Sequence, residues 1–210
     1  MKNPPWLKTA WILIAITSLV ACKPKKTQEI LKASEALGDI AAEEIAQIAG
    51  ANKRVAIITF DANWSTHRSF AESAFASALK KNGLTVVSTN MVNLGDPMHS
   101  SEVGLKPTDF LESLEKYKDA GAIVSLVGAP LFKGIPQLSA THPPVLIVAT
   151  GSLGDVPGVG NDRKLLAQLI EAKIIQEAII DGVDPSAPKS AKSDAAHELF
   201  GQNYTILRAN

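Results

Sequence analysis

The side chains able to do chemistry in this sequence stand in short polar stretches that follow apolar runs. Asp61, Asn63, Trp64, Thr66, His67 and Arg68 follow the run 54–60, and Asn90 follows 84–89. Gly128, Ala129 and Pro130 follow 122–127, while Thr150, Gly151 and Ser152 close the run that starts at Val145. A helix starting beside His67 and Arg68 would hold an anion, because its first N–H groups are unpaired and its dipole is positive there. The Trp64 ring would stack on a sugar or another flat ring. The same residues also make local structure: Asp61 and Asn63 shape a turn, Ser65 or Thr66 caps a helix, and Trp64 covers a sheet edge. Gly128-Ala129-Pro130 would bring backbone close to a ligand, or would simply lead the chain out of a strand.

Covalent and metal chemistry find little support. Gly151-Ser152-Leu153-Gly154 lacks the spacing of the Gly-x-Ser-x-Gly elbow. A hydrolase would have to assemble Asp61, His67 and Ser152 from separate loops. His67, His99, His142 and His197 stand too far apart in sequence for a metal motif. The glycines of 154–160 are interrupted by Asp155 and Pro157, and a phosphate cradle wants backbone N–H groups with no acid facing the anion. No catalytic residue, metal or cofactor is expected.

Composition narrows the classes further. The chain has 210 residues, 46% hydrophobic and 20% charged, which suits a folded protein of one domain or little more. Its 21 basic and 21 acidic side chains cancel, and no basic stripe appears, so nucleic acid is not an expected partner. A single cysteine excludes an intramolecular disulfide and a cysteine-based zinc or iron–sulfur site.

That cysteine, Cys22, ends a distinctive N-terminus. Lys2 and Lys8 precede an apolar run from Ala10 to Ala21, which has the anatomy of a secretory signal and is short for a membrane span of roughly 20 residues. Leu19-Val20-Ala21-Cys22 resembles the lipobox of bacterial lipoproteins. The resemblance implies cleavage after Ala21 and acylation of the Cys22 thiol. Lys23 next to it, rather than aspartate, implies sorting to the outer membrane, facing the periplasm. Removing 1–21 takes away Lys2 and Lys8 and no acid, so the remaining chain has two more acidic than basic groups. The expected organisation is a signal peptide over 1–21, a lipidated cysteine and tether over 22–28, and one α/β domain over 29–210. Its core is expected over about 36–182, with a loop and tail over 183–210.

The elements that must position the polar stretches alternate. Ile30, Leu31, Leu37, Ile40, Ile45 and Ile48 recur at helical spacing, which predicts a helix from Glu29 to Ala49 stopped by Gly50. Unbroken apolar runs predict buried strands at 54–60, 84–89, 122–127 and 145–150. Helices are predicted from Ser65 or Thr66 to Lys81, from Thr108 to Asp119 after Pro107, and from Asp162 to about Asp181. A short proline-punctuated helix or turn is expected over 131–140, and Tyr204-Thr205-Ile206-Leu207 as a last edge strand. This order predicts an α/β fold, a Rossmann-like three-layer sandwich with a mostly parallel central sheet, as a single lobe.

Four segments also carry a family resemblance. Gly38–Ala46 leads into Lys53-Arg54-Val55-Ala56-Ile57-Ile58-Thr59, then Arg68-Ser69-Phe70-Ala71-Glu72-Ser73-Ala74-Phe75, then Leu84-Thr85-Val86-Val87. With Leu169–Ile179, read as a late helix, this is similar to the C-terminal lobe of type 1 periplasmic binding proteins, the sugar-binding and LacI-like group. Glu171-Ala172-Lys173 stands where that family usually has a glycine. The family clamps its ligand between two lobes, and this chain has room for one. The resemblance therefore implies a non-catalytic envelope lipoprotein, held to the membrane by lipid on Cys22, that binds a small molecule or an envelope protein. It implies also a homodimer in which a second copy supplies the missing lobe. The expected ligand-lining residues are Asp61, Asn63, Trp64, His67, Arg68, Asn90, Gly128, Thr150 and Ser152. A periplasmic hydrolase, or an assembly lipoprotein docking through a sheet edge or exposed helix, are the alternative readings.

Overall fold

Alternate residues of the central strands meet two separate apolar layers, and this alternation sets the architecture. The computed structural model describes residues 25–60, 66–95, 103–138, 141–151, 162–183 and 194–209. Within them the order is α1 (Lys25–Ile48), β1 (Arg54–Thr59), α2 (Thr66–Lys81), β2 (Thr85–Met91), α3 (Pro107–Lys116) and β3 (Ala122–Ser125). Then come β4 (Val145–Ala149), α4 (Arg163–Glu171), β5 (Glu177–Asp181), α5 (Ala195–Asn203) and β6 (Tyr204–Arg208). The sheet order is β2-β1-β3-β4-β5-β6. Strands β1 to β5 run parallel, and β6 closes one edge antiparallel to β5.

Val55, Ala122, Val124, Leu146, Val148 and Ile179 face α1, α2 and α5, whereas Ala56, Ile58, Ile123, Val145, Ile147, Ala178 and Ile180 face α3 and α4. The strands β3 and β4 are buried along their whole length. A parallel strand covered on both faces reads as a continuous apolar run for this reason. The three-layer sandwich expected from the sequence is the observed one.

Helix α1 lies against α2 at unusually short range. A Cβ on Gly38 would stand 2.3 Å from the Ala71 carbonyl oxygen and 2.7 Å from the Phe75 nitrogen. The two backbones approach because Gly38 carries no side chain. Gly50 (φ +57°) and Gly83 (φ +70°) terminate α1 and α2, as expected.

Four elements differ from their expectation. The helix expected from Asp162 to Asp181 ends at Glu171, and Glu177–Asp181 is a strand. The cause is a helix C-terminus in which Lys173 takes a left-handed φ of +59°. The Lys173 N–H donates to the Ile170 carbonyl and the Ile174 N–H to the Leu169 carbonyl, both at 2.9 Å. This is the Schellman arrangement, built here without glycine. Residues 131–138 contain no helix; Pro136 interrupts them and Phe132 packs edge-on to Phe110 at 6.0 Å. The expected tail holds a helix, α5, in which Asp194 caps the start by accepting the His197 N–H at 3.0 Å, while β6 is the edge strand expected over 204–207. At the other end, residues 25–28 are the first turn of α1 rather than a tether.

Replacing Gly38 by alanine will force α1 and α2 apart and cost about 3 kcal/mol, the upper end for overpacking. Gly201→Ala, where a Cβ meets nothing within 4 Å, will gain up to about 1 kcal/mol from helix propensity. Urea unfolding midpoints check both, and equal midpoints for the two variants would contradict the close crossing.

Candidate functional site

In a doubly wound sheet the chain leaves neighbouring strands in opposite directions at one point, and a crevice opens there beyond the strand carboxyl ends. In the order β2-β1-β3 that point lies between β1 and β3. The β1 end is followed by α2, so the first turn of α2, with His67 and Arg68, stands at this rim.

The β3 exit is tied down on both sides. The Leu126 N–H donates to the Ile58 carbonyl of β1 at 2.9 Å, and the Gly128 N–H to the Val148 carbonyl of β4 at 3.2 Å. Gly128 has φ +78°, which an L side chain rarely adopts, and Ser125 Oγ donates to the Gly128 carbonyl at 2.8 Å. Residues 121–130 are all buried, so the β3 side of the rim presents no exposed side chain among the described residues. Thr59 Oγ1 donates to Glu72 Oε1 of α2 at 3.4 Å, bracing the helix against the end of β1.

The sequence-predicted residues separate on this frame. Gly128 stands at the switch point. Thr150 is buried at the end of β4, one strand further along. Asn90 is directed elsewhere: its Nδ2 donates to Ser113 Oγ at 3.1 Å, so it pins β2 to α3. Ser88 makes a parallel contact to the Tyr117 hydroxyl at 2.9 Å. Asp61, Asn63, Trp64, Ser152 and Cys22 lie outside the described residues. Two rim residues have no counterpart among the expected ones. Ser125 fixes the Gly128 turn, and its only sequence signal is a hydroxyl within an apolar strand. Asp181 accepts the Gly151 N–H on Oδ2 at 2.8 Å, while its carbonyl accepts Arg163 Nη2 at 3.3 Å. Reading 162–181 as one helix hid Asp181 from the strand ends.

The opposite pole has different chemistry. A groove of about 830 Å³ runs between 135–145 and 172–176, with His142 and Lys173 on its walls. Nearby, Arg208 of β6 joins two buried carboxylates, Glu44 of α1 and Glu177 of β5, with its Nε 3.0 Å from Glu177 Oε1. Glu177 Oε2 is buried without a hydrogen-bond partner. Burial, and then the neighbouring Glu44 carboxylate, push the Glu177 carboxyl up to about 7, although Arg208 opposes both. Among the described residues no group of three or more His, Cys, Asp or Glu could hold a metal ion. No helix among them is long and apolar enough to cross a membrane.

No protein-family model matches the chain, and no curated protein does. Among solved structures it is similar to the periplasmic ribose ABC transporter from Conexibacter woesei DSM 14684, at 16% identity and a TM-score of 0.43. The match covers 80% of this chain and 47% of that one. The described residues form one doubly wound lobe. The chain spans less than half the length of that structure.

A carboxyl raised from 4.5 to about 7 keeps its proton in the folded chain where the unfolded chain has lost it. Stability therefore falls as pH rises from about 4.5 to 7 and levels off above. Glu177→Gln mimics the protonated carboxyl and will remove this contribution to the slope. Thermal melts of both proteins at pH 5 and pH 8 check it: Gln should gain at pH 8 and match wild type near pH 5.

Proposed function

We propose that this chain is an envelope lipoprotein, acylated at Cys22, whose lobe binds a small molecule without transforming it. The binding place is the crevice at the carboxyl ends of β1 and β3, with the start of α2 on one side and the Gly128 turn on the other, and the ligand-lining residues of this reading are Asp61, Asn63, Trp64, His67, Arg68, Gly128, Thr150 and Ser152. The observation that carries this reading is the Gly128 turn itself. It stands at the switch point, is anchored to β1 and β4, and its positive φ lets backbone approach a ligand with no side chain between. Lipid on Cys22 would hold the lobe at the outer membrane, facing the periplasm.

Two measurements test the reading. Trp64 is the only tryptophan after Cys22, so in the processed chain the emission comes from this one residue, which this reading counts among the ligand-lining ones. A member of a panel of sugars, amino acids and nucleosides should shift that emission, and Gly128→Val should weaken the response at least tenfold while the protein stays folded. A panel without any binder, by fluorescence and by calorimetry, would contradict the small-molecule site. Cells fed labelled palmitate should label the wild-type chain and not Cys22→Ser, with the variant also keeping its signal peptide. An unlabelled wild type would contradict the anchor.

A further inference from the structure

Only Lys23 and Pro24 stand between Cys22 and the start of α1 at Lys25. Three residue steps reach roughly 11 Å at full extension, so a lipid on Cys22 holds the start of α1 at the membrane surface. The direction of α1 then decides which pole of the sheet lies there. Gly50 ends the helix shortly before β1 begins at Arg54, and Glu44 meets Arg208 and Glu177 at the amino end of β5. The helix therefore starts at the carboxyl-end pole and descends to the amino-end pole. From Glu44 back to Lys25 is about 28 Å along the helix, whereas β5 spans about 13 Å from Glu177 to Asp181. The first turns of α1 overhang the strand ends: residues 28–30 are exposed, and the helix joins the apolar layer from Ala33 onward.

The same pole carries apolar surface. Of the six exposed large apolar side chains among the described residues, the two most exposed are Met91 (60%), the last residue of β2, and Val183 (54%), just past the end of β5. Ile30, in the overhanging part of α1, is a third. Strands β2 and β5 are four places apart in the sheet, about 19 Å. Apolar side chains spread over three elements at that spacing suit a broad surface better than a single strand or peptide. Charge sorts in the same direction. Lys23, Lys25 and Lys26 adjoin the anchor against one acid, Glu29, whereas Glu35, Asp39 and Glu43 follow at i, i+4 and i+8 further down α1. An anionic headgroup layer attracts the first group and repels the second, so the helix stands on its start instead of lying along the bilayer.

We infer that the carboxyl-end face of the sheet rests on the anionic lipid headgroups of the membrane that anchors the chain, with Ile30, Met91 and Val183 at the contact. This orientation rests on the acylation of Cys22 proposed above, and it holds whether or not the crevice takes a small molecule. It turns the crevice between β1 and β3 toward the bilayer and the groove over 135–145 and 172–176 away from it.

Acylation consumes the thiol of Cys22, the only cysteine, so one introduced cysteine is the single free thiol of the anchored chain. Met91→Cys, Val183→Cys and, at the amino end of β5, Gln176→Cys each take a thiol-reactive fluorophore in the acylated chain. All three positions are exposed, so the labelled chains should melt within a few degrees of wild type. In vesicles of phosphatidylcholine and phosphatidylglycerol doped with a headgroup-nitroxide lipid, quenching should be at least threefold stronger at positions 91 and 183 than at 176. In phosphatidylcholine alone that contrast should shrink at least twofold, and an undiminished contrast overturns the role given to anionic headgroups. Equal quenching at the three positions, or stronger quenching at 176, overturns the orientation. Mass spectrometry of the same preparations reads the lipid on Cys22. A chain without it overturns the anchor and the orientation together, whereas an acylated chain with equal quenching overturns the orientation alone.

Discussion

The backbone contact at Gly38 is the constraint from which one side of the molecule follows. With no side chain between them, α1 and α2 share a single apolar layer over β1, β3 and β4 instead of standing apart on it. That places α1 over the middle of the sheet and moves α2 outward over β1 and β2. The first turn of α2 is thereby held at the carboxyl end of β1, beside the switch point.

The two poles of the sheet are built from opposite materials. At the carboxyl ends of β1 and β3 the described residues offer backbone groups and a positive-φ glycine, Gly128, held by hydrogen bonds to its neighbours. At the amino end of β5 it buries two acids on one arginine. Breaking such a buried set leaves an unpaired charge and costs more than the set contributes. It therefore fixes where β6 docks more than it adds to stability. Arg208 reaches across from the last strand to the first helix, so the first and last described elements are tied together there.

The strands over 55–58, 122–125 and 145–149 were legible because burial on both faces leaves the runs apolar, with Ser125 the one hydroxyl among them. The edge strand β2 was legible in place but not in exposure, since Val86 and Val87 read like core residues and face solvent. The second half of 162–181 was illegible for a definite reason. Ile170, Ile174 and Ile175 sit at helical spacing, and the residue that breaks the helix is Lys173, whose left-handed backbone leaves no mark in the sequence. Helix α5 was missed because Asp194 follows a Pro, Ser and Lys-rich stretch that reads as loop, although its capping aspartate is a recognisable start signal. Of the candidate site, the Gly128 turn was visible from its glycine and proline. Asn90 was misplaced because strand position alone does not tell a rim residue from one bonded to α3, and Asp181 was hidden behind the helix that is not there.

The claim that matters most is that ligands enter at the β1–β3 switch point. Amide chemical-shift mapping on the isotope-labelled chain, titrated with the binder found in the small-molecule panel, addresses it directly. The predicted result is a set of shifts at Thr59, Phe60, His67, Arg68 and 126–129. Shifts confined to 135–145 and 172–176, the groove at the opposite pole, would contradict it.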